Sequence, residues 1–259
     1  MFTKEQVNLY LKRIGLEGPM PLCRETLDRI IFAHYQHIPY ENLDTMNGIP
    51  VLLSEEALFD KIVCRKRGGW CFELNAALSL LLQGMGFEVT LLAARFLAGE
   101  DPKVIPLRRH EVLLVTLPDG QYLCDAGIMR ESCRRALKLE YGLIQSDGMG
   151  EYKLEKDPFY GNLLYQKLAT EDFERYFGFT FEPQVPADYI MPSFYCEHHP
   201  DSPFTHHRMV GRYTEKGSIN LVGNLWKRIE GGKVAETREI PDEEIAAVLK
   251  RDFGIEGIW

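Results

Sequence analysis

The stretch RKRGGWCFELN, residues 65–75, determines how the rest of this chain is interpreted. Its two glycines allow the backbone a tight approach to its neighbours. After them, apolar residues recur at three- and four-residue spacing, which predicts a buried helix that has Cys71 in its first turn and ends at Gly84. The helix N-terminus and the cations at positions 65–67 both favour a thiolate over a thiol. Cys71 is therefore either a nucleophile or a buried structural cysteine, and these local features leave both interpretations open.

The composition is typical of a soluble globular protein. Of the 259 residues, 45% are hydrophobic and 26% are charged, and a chain of this length predicts two or three packed units. The net charge of −8 argues against broad binding to nucleic acids or anionic membranes. No apolar run approaches the length of a membrane-spanning helix, and the first residues do not resemble a signal peptide, so we expect a cytoplasmic protein without a membrane partner. The six cysteines are scattered without a CxxC pair, which fits reduced thiols.

The first third of the chain is predicted to be helical. Thr3 and Gln6 have the spacing of a capping box that opens a first helix. A second helix is predicted over Arg24–His37, and Ser54 is the expected N-cap of a third. Together with the Cys71 helix, these segments form one α-helical unit.

At Phe87 the pattern changes to short strands. The first is expected over Phe87–Arg95, which is rich in β-branched and aliphatic residues. His110–Thr116 and Tyr122–Ala126 flank a type I turn at Leu117–Gly120, and this arrangement predicts a hairpin.

The second half of the chain continues with strands and closes with a helix. Glu182–Pro192 contains three prolines and is predicted to be a linker, and a last helix is predicted to begin at Pro241. The further strands are expected at Tyr152–Lys156, Leu163–Leu168, Arg208–Thr214, Ser218–Leu221, Leu225–Ile229 and Lys233–Glu239.

A nucleophilic cysteine needs a base that takes its proton and a third group that orients the base. Of the histidines that are available, His34 and His37 lie on a predicted helix and are expected to be packed or surface residues. Four more form two adjacent pairs, His198–His199 and His206–His207. With Cys196 they match no standard zinc-ligand spacing, so we predict no metal site.

His110 begins a predicted strand, and Asp125 follows 15 residues later near the end of the partner strand. If the turn pairs Leu117 with Gly120, Asp125 lies diagonal to His110 and on the same face. A one-residue bulge would place the two on opposite faces, and Asp125 is as readily explained as a strand-end residue that caps a turn. The spacing permits a triad of these two residues with Cys71 without establishing it.

In such a triad each residue has its own task. Asp125 fixes the tautomer of His110, and the imidazolium holds Cys71 as a thiolate. The thiolate attacks an acyl carbonyl, and the oxyanion that forms accepts hydrogen bonds from backbone N–H groups. The amide of Cys71 is the first donor that we expect.

Five sequence motifs carry a resemblance to a known enzyme family. They are Ile38–Leu43 (IPYENL), Arg67–Asn75 (RGGWCFELN), the strand His110-x-x-Leu113-x-Val115, Asp125-Ala126-Gly127 and Ser202–Thr205 (SPFT). In sequence, order and separation they resemble the arylamine N-acetyltransferase family, including the 39 residues from cysteine to histidine and the 15 to aspartate. The resemblance extends over residues 2 to about 215 and is most specific around Cys71.

The resemblance implies a fold and a reaction. The fold is α+β, with a core similar to papain-like cysteine enzymes: an N-terminal helical bundle at residues 1–84, a β-barrel at 85–190 and an α/β lid at 191–259. The reaction is a ping-pong transfer from acetyl-CoA, through a thioester on Cys71, to the amine of an arylamine, arylhydrazine or arylhydroxylamine. The only partners implied are these small molecules, and no metal is implied.

The resemblance also implies roles for residues around the triad. Tyr40 and Phe204 would line the acceptor pocket, while Thr205 and Gly127 would lie near the coenzyme. Glu41 would pair with Arg67 as structural support.

Two features after Asp125 bear on how the coenzyme approaches. Many family members have a glycine two places after the position of Gly127, whereas this chain has Ile128 and Met129 there. Downstream, the cations Arg130, Arg134, Arg135 and Lys138 are either contacts for CoA phosphates or a solvated surface, and we favour the surface.

Three alternative functions stay open at this point. An amide synthase would release a polyketide chain from a carrier protein through the same cysteine. A thiol hydrolase would use the same three residue types, with water as the acceptor. A non-catalytic binding protein would keep the fold and lack turnover.

Overall fold

The computed structural model describes residues 1–129, 132–169 and 172–257. The helices in chain order are α1 (Lys4–Arg13), α2 (Arg24–His37), α3 (Leu43–Met46), α4 (Glu55–Leu58), α5 (Cys71–Met85), α6 (Ile190–His198) and α7 (Ile245–Val248). Shorter 3-10 turns lie at Pro186–Tyr189, Pro203–Thr205 and Asp242–Glu244, and π-helical turns lie at Phe59–Cys64 and Leu249–Phe253. The strands are β1 (Tyr40–Glu41), β2 (Glu88–Phe96), β3 (His110–Leu117), β4 (Gly120–Cys124), β5 (Leu137–Lys138), β6 (Gln145–Ser146), β7 (Glu151–Asp157), β8 (Gly161–Lys167), β9 (Glu174–Gln184), β10 (Met209–Thr214), β11 (Gly217–Val222), β12 (Leu225–Glu230) and β13 (Lys233–Glu239).

The N-terminal helices begin where the sequence predicts. Thr3 and Gln6 form a capping box at the start of α1, and the hydroxyl of Ser54 accepts a hydrogen bond from the first turn of α4. α5 begins at Cys71 as predicted, but its predicted end at Gly84 is wrong, because the helix continues to Met85. Gly84 instead provides room, since a Cβ there would lie 2.5 Å from the carbonyl oxygen of Phe2.

The middle of the chain forms an antiparallel sheet that is nearly closed into a barrel. Within the described residues it has eight strands, in the order β5-β4-β3-β2-β9-β8-β7-β6. The predicted hairpin is β3 and β4, and Leu117 pairs with Gly120 as expected. With the helices that precede it, this sheet confirms the α+β class.

Strand β3 is buried on both faces, which explains why its sequence is almost continuously apolar. Leu113 and Val115 pack with α5 in the largest hydrophobic cluster. Val112 and Leu114 point the other way, into the cluster inside the barrel. The two faces of β3 are thereby fixed against two different packing layers, and this fixes the position of His110 at the start of the strand.

A second antiparallel sheet joins the two ends of the chain. Its order is β1-β10-β11-β12-β13, so the short strand β1 from the helical part lies at one edge, with Tyr40 opposite Gly211. A third hydrophobic cluster, which includes Trp226 and Leu249, packs this sheet against the C-terminal helical turns. Tyr40 and Glu41 are thus held between the Cys71 region and the C-terminal sheet.

The predicted linker at Glu182–Pro192 is wrong. The segment contains the end of β9, a 3-10 turn and the first residues of α6. Each proline lies where its missing N–H is tolerated: Pro183 opposite Leu92 beside a register shift, Pro186 at the start of a turn, and Pro192 in the first turn of α6. A proline count alone does not distinguish a linker from these positions.

Candidate active site

A cavity of about 370 Å³ lies where α5, β3 and the Pro203–Thr205 turn meet. Cys71, His110, Gly127, Tyr40 and Phe204 all line it. Residues separated by up to 164 positions in the sequence are therefore brought to one concave surface. A volume of this size accommodates a small aromatic molecule.

Cys71 is the first helical residue of α5 and is largely buried, with 6% of its surface exposed. Its Sγ lies 3.7 Å from the main-chain oxygen of Arg109, the residue before His110. This contact places the sulfur beside the start of β3, whose first residue is His110.

His110 and Asp125 form the hydrogen bond that the hairpin geometry permits. His110 Nε2 lies 2.8 Å from Oδ2 of Asp125. The second carboxylate oxygen accepts hydrogen bonds from the N–H of Gly127 at 2.8 Å and from Nδ2 of Asn75 at 2.9 Å. Since the carboxylate of Asp125 accepts a hydrogen bond from the N–H at Nε2, the ring nitrogen left with a lone pair in the neutral imidazole is Nδ1.

Asn75 is a contributor to the site whose role the residue-by-residue reasoning missed. Besides Asp125, its Nδ2 donates to the main-chain oxygen of Glu111 at 2.6 Å, and its Oδ1 accepts from the N–H of Ala126 at 2.8 Å. Four residues separate it from Cys71, so both project from the same side of α5. That spacing is the sequence feature from which the role could have been inferred.

Gly127 lies against the backbone of Cys71. A Cβ at Gly127 would come 2.7 Å from the Cα of Cys71 and 2.7 Å from Nδ2 of Asn75, so only glycine fits. Ile128 and Met129, which stand where the family often has glycine, also line the cavity. Ile128 is buried, and this stretch therefore forms an apolar wall.

The electrostatics around Cys71 differ from the sequence expectation. Burial raises the pKa of the Cys71 thiol well above its usual value, and the acidic neighbours Glu111 and Asp125 and the thiol of Cys196 add to this, while Arg109 opposes it. Ionisation therefore depends on transfer of the proton to a group inside the cavity. His110 is the base that lines the same cavity.

Two of the three cations at positions 65–67, which were expected to favour the thiolate, are engaged elsewhere. Arg67 is buried and contacts both oxygens of Glu41 at 2.7 and 2.8 Å and Asp44 at 3.0 Å. Arg65 pairs on the surface with Asp60 at 2.7 Å. For Arg65 and Arg67, the expectation that their charges activate Cys71 is wrong, because the electrostatic field of each guanidinium is largely compensated by its own carboxylate partners.

A buried ion network lies beneath the Gly68–Gly69 turn. Lys61 Nζ lies 2.7 Å from Asp44 and 2.7 Å from Glu73, and Asp44 in turn contacts Arg67. The second oxygen of Glu73 accepts from the N–H of Trp70 at 3.1 Å, which caps the start of α5. The network thus fixes the helix terminus that carries the cysteine.

The remaining predicted pocket residues occupy different positions. Phe204 lines the cavity, with its ring edge-on to Trp70 at 5.4 Å. Thr205 lies in the same turn, but in the described part of the chain it is not among the lining residues. Its hydroxyl donates to the main-chain oxygen of Ser202 at 2.9 Å.

Arg109 is a cation in the cavity that the sequence reasoning missed. Its guanidinium lies 5.7 Å from the ring centroid of Phe204 and 4.0 Å from a carboxylate oxygen of Glu100, and all three residues line the cavity. The position directly before His110 is the only sequence feature that points to it. Because Arg109 opposes the rise in the Cys71 pKa, it favours negative charge at the sulfur.

The cations that were considered for CoA phosphates do not form one group. Arg134 is buried, with its Nε 3.4 Å from Asp147 and its Nη1 donating to the main-chain oxygen of Thr214, so it is neither surface nor free for a phosphate. Lys138 pairs with Glu140 at 3.4 Å, and Arg135 is exposed. Arg130 lies outside the described residues.

The other histidines do not form a metal centre. His34 is fully buried, its Nε2 lies 2.8 Å from the hydroxyl of Tyr10, and burial lowers its pKa to about 3. In residues 1–129, 132–169 and 172–257, no group of three or more His, Cys, Asp or Glu side chains is arranged to hold a metal ion. Over the same ranges, no helix is both long and apolar enough to span a membrane.

The sequence is similar to known acetyltransferases over almost its whole length. A family model described as N-acetyltransferase matches residues 24–257. An arylamine N-acetyltransferase of Mycolicibacterium smegmatis is 35% identical over 251 residues, which cover 95% of this chain and 90% of that protein. The similarity therefore includes every part of the cavity.

The fold is also similar to solved structures. The arylamine N-acetyltransferase of Salmonella typhimurium superposes with a TM-score of 0.92 at 29% identity, covering 98% of this chain and 92% of the other. The enzyme of Mycobacterium marinum, solved in complex with CoA, gives a TM-score of 0.90 at 31% identity, with 96% and 92% covered. Sequence and fold point to the same group of proteins.

Proposed function

The chain belongs to the arylamine N-acetyltransferase family, and from this premise we propose that it transfers the acetyl group of acetyl-CoA to an arylamine, arylhydrazine or arylhydroxylamine. A thioester on Cys71 carries the acetyl group between the two half-reactions. The observation that supports this most directly is that Cys71 and His110 line one cavity while Asp125 holds the far nitrogen of the imidazole. The three residues have the division of tasks that nucleophilic catalysis requires.

In the first half-reaction, the Cys71 thiol passes its proton to Nδ1 of His110, and Sγ attacks the carbonyl carbon of acetyl-CoA. The bond from that carbon to the sulfur of CoA breaks, and the departing thiolate takes the proton from the imidazolium. The N–H of Cys71 at the terminus of α5 stabilises the oxyanion formed between these steps. Asp125 stabilises the imidazolium while it exists.

In the second half-reaction, the amine nitrogen attacks the thioester carbonyl and His110 takes one proton from that nitrogen. The bond to Sγ then breaks, and His110 returns the proton to the cysteine. Tyr40 and Phe204 supply aromatic walls that suit a flat acceptor ring in a cavity of about 370 Å³. Since His110 supplies the base and the helix terminus stabilises the oxyanion, the proposed reaction includes no metal.

Several further assignments belong to the same proposal. Gly127 and Thr205 are assigned to the approach of acetyl-CoA. The structure of the Mycobacterium marinum relative in complex with CoA supports coenzyme binding by this fold, and Gly127 lines the cavity. A cytoplasmic location suits the six free cysteines, because a reducing compartment keeps thiols available. The division into residues 1–84, 85–190 and 191–259 stays a prediction, in which the first two parts supply the triad and the third supplies Phe204.

Mass spectrometry of the intact protein tests the covalent step. After mixing with acetyl-CoA and no amine, we expect an adduct of about 42 Da, one acetyl group in place of one hydrogen, on Cys71. Added arylamine should discharge the adduct and yield the N-acetylated amine. Cys71→Ala should lose both the adduct and turnover, whereas Cys64→Ser, which changes an exposed cysteine, should keep both.

Two outcomes would contradict the proposal. An adduct that forms on another cysteine, with full turnover in Cys71→Ala, would remove the nucleophile. Free acetate as the main product in the presence of saturating arylamine would assign the site to a hydrolase instead.

A further inference from the structure

A second cavity, of about 590 Å³, lies on the opposite side of the β3 backbone from the imidazole of His110. It is bounded by α5, by β2 and β3, and by the segment from Pro183 to Tyr189. Among the described residues, it shares no lining residue with the cavity that contains Cys71. It is thus a separate site.

Glu111 is the polar group of this cavity that stands out. Side chains alternate along a strand, and the neighbours of Glu111 on its face, Leu113 and Val115, pack with α5. Glu111 therefore faces α5, where Phe72 lines the cavity with it. Its side chain is fully buried, and neither carboxyl oxygen has a hydrogen-bond partner in the described part of the chain.

An unpartnered buried carboxyl group is costly, because it gives up its hydrogen bonds to water and receives none in return. Native proteins seldom keep such a group without a use for it. Burial raises the pKa of Glu111 well above its usual value, and the negative charge of Asp125 adds to this. In the empty cavity the group therefore holds its proton.

The rest of the lining favours a basic ligand with an apolar body. The walls include Leu58, Phe72 and Leu91, and, over the residues that the structure describes, the lining contains no lysine, arginine or histidine side chain. The one other acid in the lining, Glu55, already accepts the N-terminal amino group at 2.9 Å. Glu111 is thus the lining residue whose carboxyl group is available to pair with a cation. The unpartnered hydroxyl of buried Tyr189 is a second polar group in the lining.

We propose that this cavity binds a small primary amine with an aromatic or branched alkyl body, whose nitrogen pairs with the carboxylate of Glu111. No proton from outside the site is needed, because the free-base amine takes the proton of the Glu111 carboxyl group. An ammonium group and a carboxylate result. The hydroxyl of Tyr189 is available to accept a further N–H. The amine is a ligand here and is not acetylated, because this cavity contains neither Cys71 nor His110.

Benzylamine is a suitable probe, and its binding can be measured by isothermal titration calorimetry. The protein is first alkylated on Cys71 with iodoacetamide, so that the catalytic thiol is blocked. We expect saturable binding of one benzylamine, weakened about 10- to 100-fold in Glu111→Gln, the range for loss of a charge-assisted hydrogen bond. Glu88→Gln, the same change at an exposed position of β2 outside the cavity, should bind as the unsubstituted chain does.

A second measurement keeps the test independent of the variant's folding. Benzyl alcohol has the shape of benzylamine without its basicity, and it should bind the unsubstituted chain at least about 10-fold more weakly. The proposal is overturned if Glu111→Gln binds benzylamine with unchanged affinity, if the alcohol binds as well as the amine, or if alkylation of Cys71 abolishes binding. None of these outcomes bears on acetyl transfer, which is tested separately by the adduct on Cys71.

Discussion

Asp125→Asn is the substitution that tests the proposed triad most sharply, because it changes one atom and reverses a hydrogen bond. In the structure, one carboxylate oxygen faces two donors, the N–H of Gly127 and Nδ2 of Asn75, and the other faces Nε2 of His110. An asparagine must keep its single oxygen toward the two donors. Its NH2 group then faces Nε2, which can accept only if its proton moves to Nδ1. That is the nitrogen that must receive the proton of Cys71.

The expected loss follows from this wrong tautomer. An imidazole with its proton on Nδ1 does not act as the base, and the imidazolium loses its counter-charge, so kcat/KM should fall about 10⁴-fold, or roughly 5 kcal/mol in the barrier. The fold should tolerate the change, because the two side chains have the same shape. Asp28→Asn is a matched control: its carboxylate also accepts a main-chain N–H, that of Ala136 at 2.8 Å, but it lies outside the cavity.

Three measurements on Asp125→Asn separate the explanation from a general loss of structure. Steady-state acetylation of an arylamine gives kcat/KM, alkylation of Cys71 by iodoacetamide near neutral pH gives the thiolate reactivity, and ¹⁵N chemical shifts of His110 report the tautomer. We expect both rates to fall and the proton to move to Nδ1. Activity within ten-fold of the unsubstituted enzyme, or an unchanged tautomer accompanied by the full loss, would refute the reasoning.

Three further predictions concern buried charges. Lys61→Met should lower the free energy of unfolding, measured by urea denaturation, by about 3–5 kcal/mol, because it leaves buried Glu73 without its cation. The loss should be larger at pH 8 than at pH 5, since the raised pKa of Glu73 lets the carboxyl group take up a proton at the lower pH. Lys250→Met removes a cation from an exposed pair and should cost under about 1 kcal/mol in the same measurement. His34 has a pKa of about 3 in the fold, so stability should fall as pH drops below about 6.5, and His34→Gln should reduce that slope in thermal melts at pH 5 and 7. Glu111→Leu should raise unfolding free energy at pH 7 by about 1–3 kcal/mol, since it removes an unsatisfied buried carboxyl, and an unchanged melting temperature would contradict this.

The parts of the site that the sequence predicts are those that local geometry determines. The apolar spacing after the two glycines places Cys71 at the start of α5, and the structure has it as the first helical residue. The turn that pairs Leu117 with Gly120 sets the register of β3 and β4. Since side chains alternate along strands, that register brings Asp125 to the side of His110 without any information from the rest of the chain.

The parts that the sequence does not predict depend on contacts between distant segments. A run of cations at positions 65–67 gives no indication that Arg67 pairs with Glu41, 26 residues earlier, instead of acting on its neighbour Cys71. Asn75 is quoted within a motif, yet its three hydrogen bonds exist only because α5 packs against β3 and the Ala126–Gly127 loop. Similarly, the sequence around Pro192 suggests a linker, whereas in the structure Pro192 lies in the first turn of α6.

The two glycines that open the catalytic stretch show how these levels combine. A Cβ at Gly68 would lie 1.8 Å from the main-chain oxygen of Pro39, and one at Gly69 would lie 2.6 Å from a carboxylate oxygen of Glu73. Gly68 thus allows the backbone of Pro39 to approach, and Gly69 allows Glu73 to reach the N–H of Trp70 and hold the start of α5 in place. Because Lys61 and Arg67 compensate the acids of this network, its charges set position and leave Cys71 with a pKa raised by burial. We therefore expect the reactivity of the sulfur to come from the imidazole across the cavity, and this is why we predict that the tautomer of that ring controls the rate.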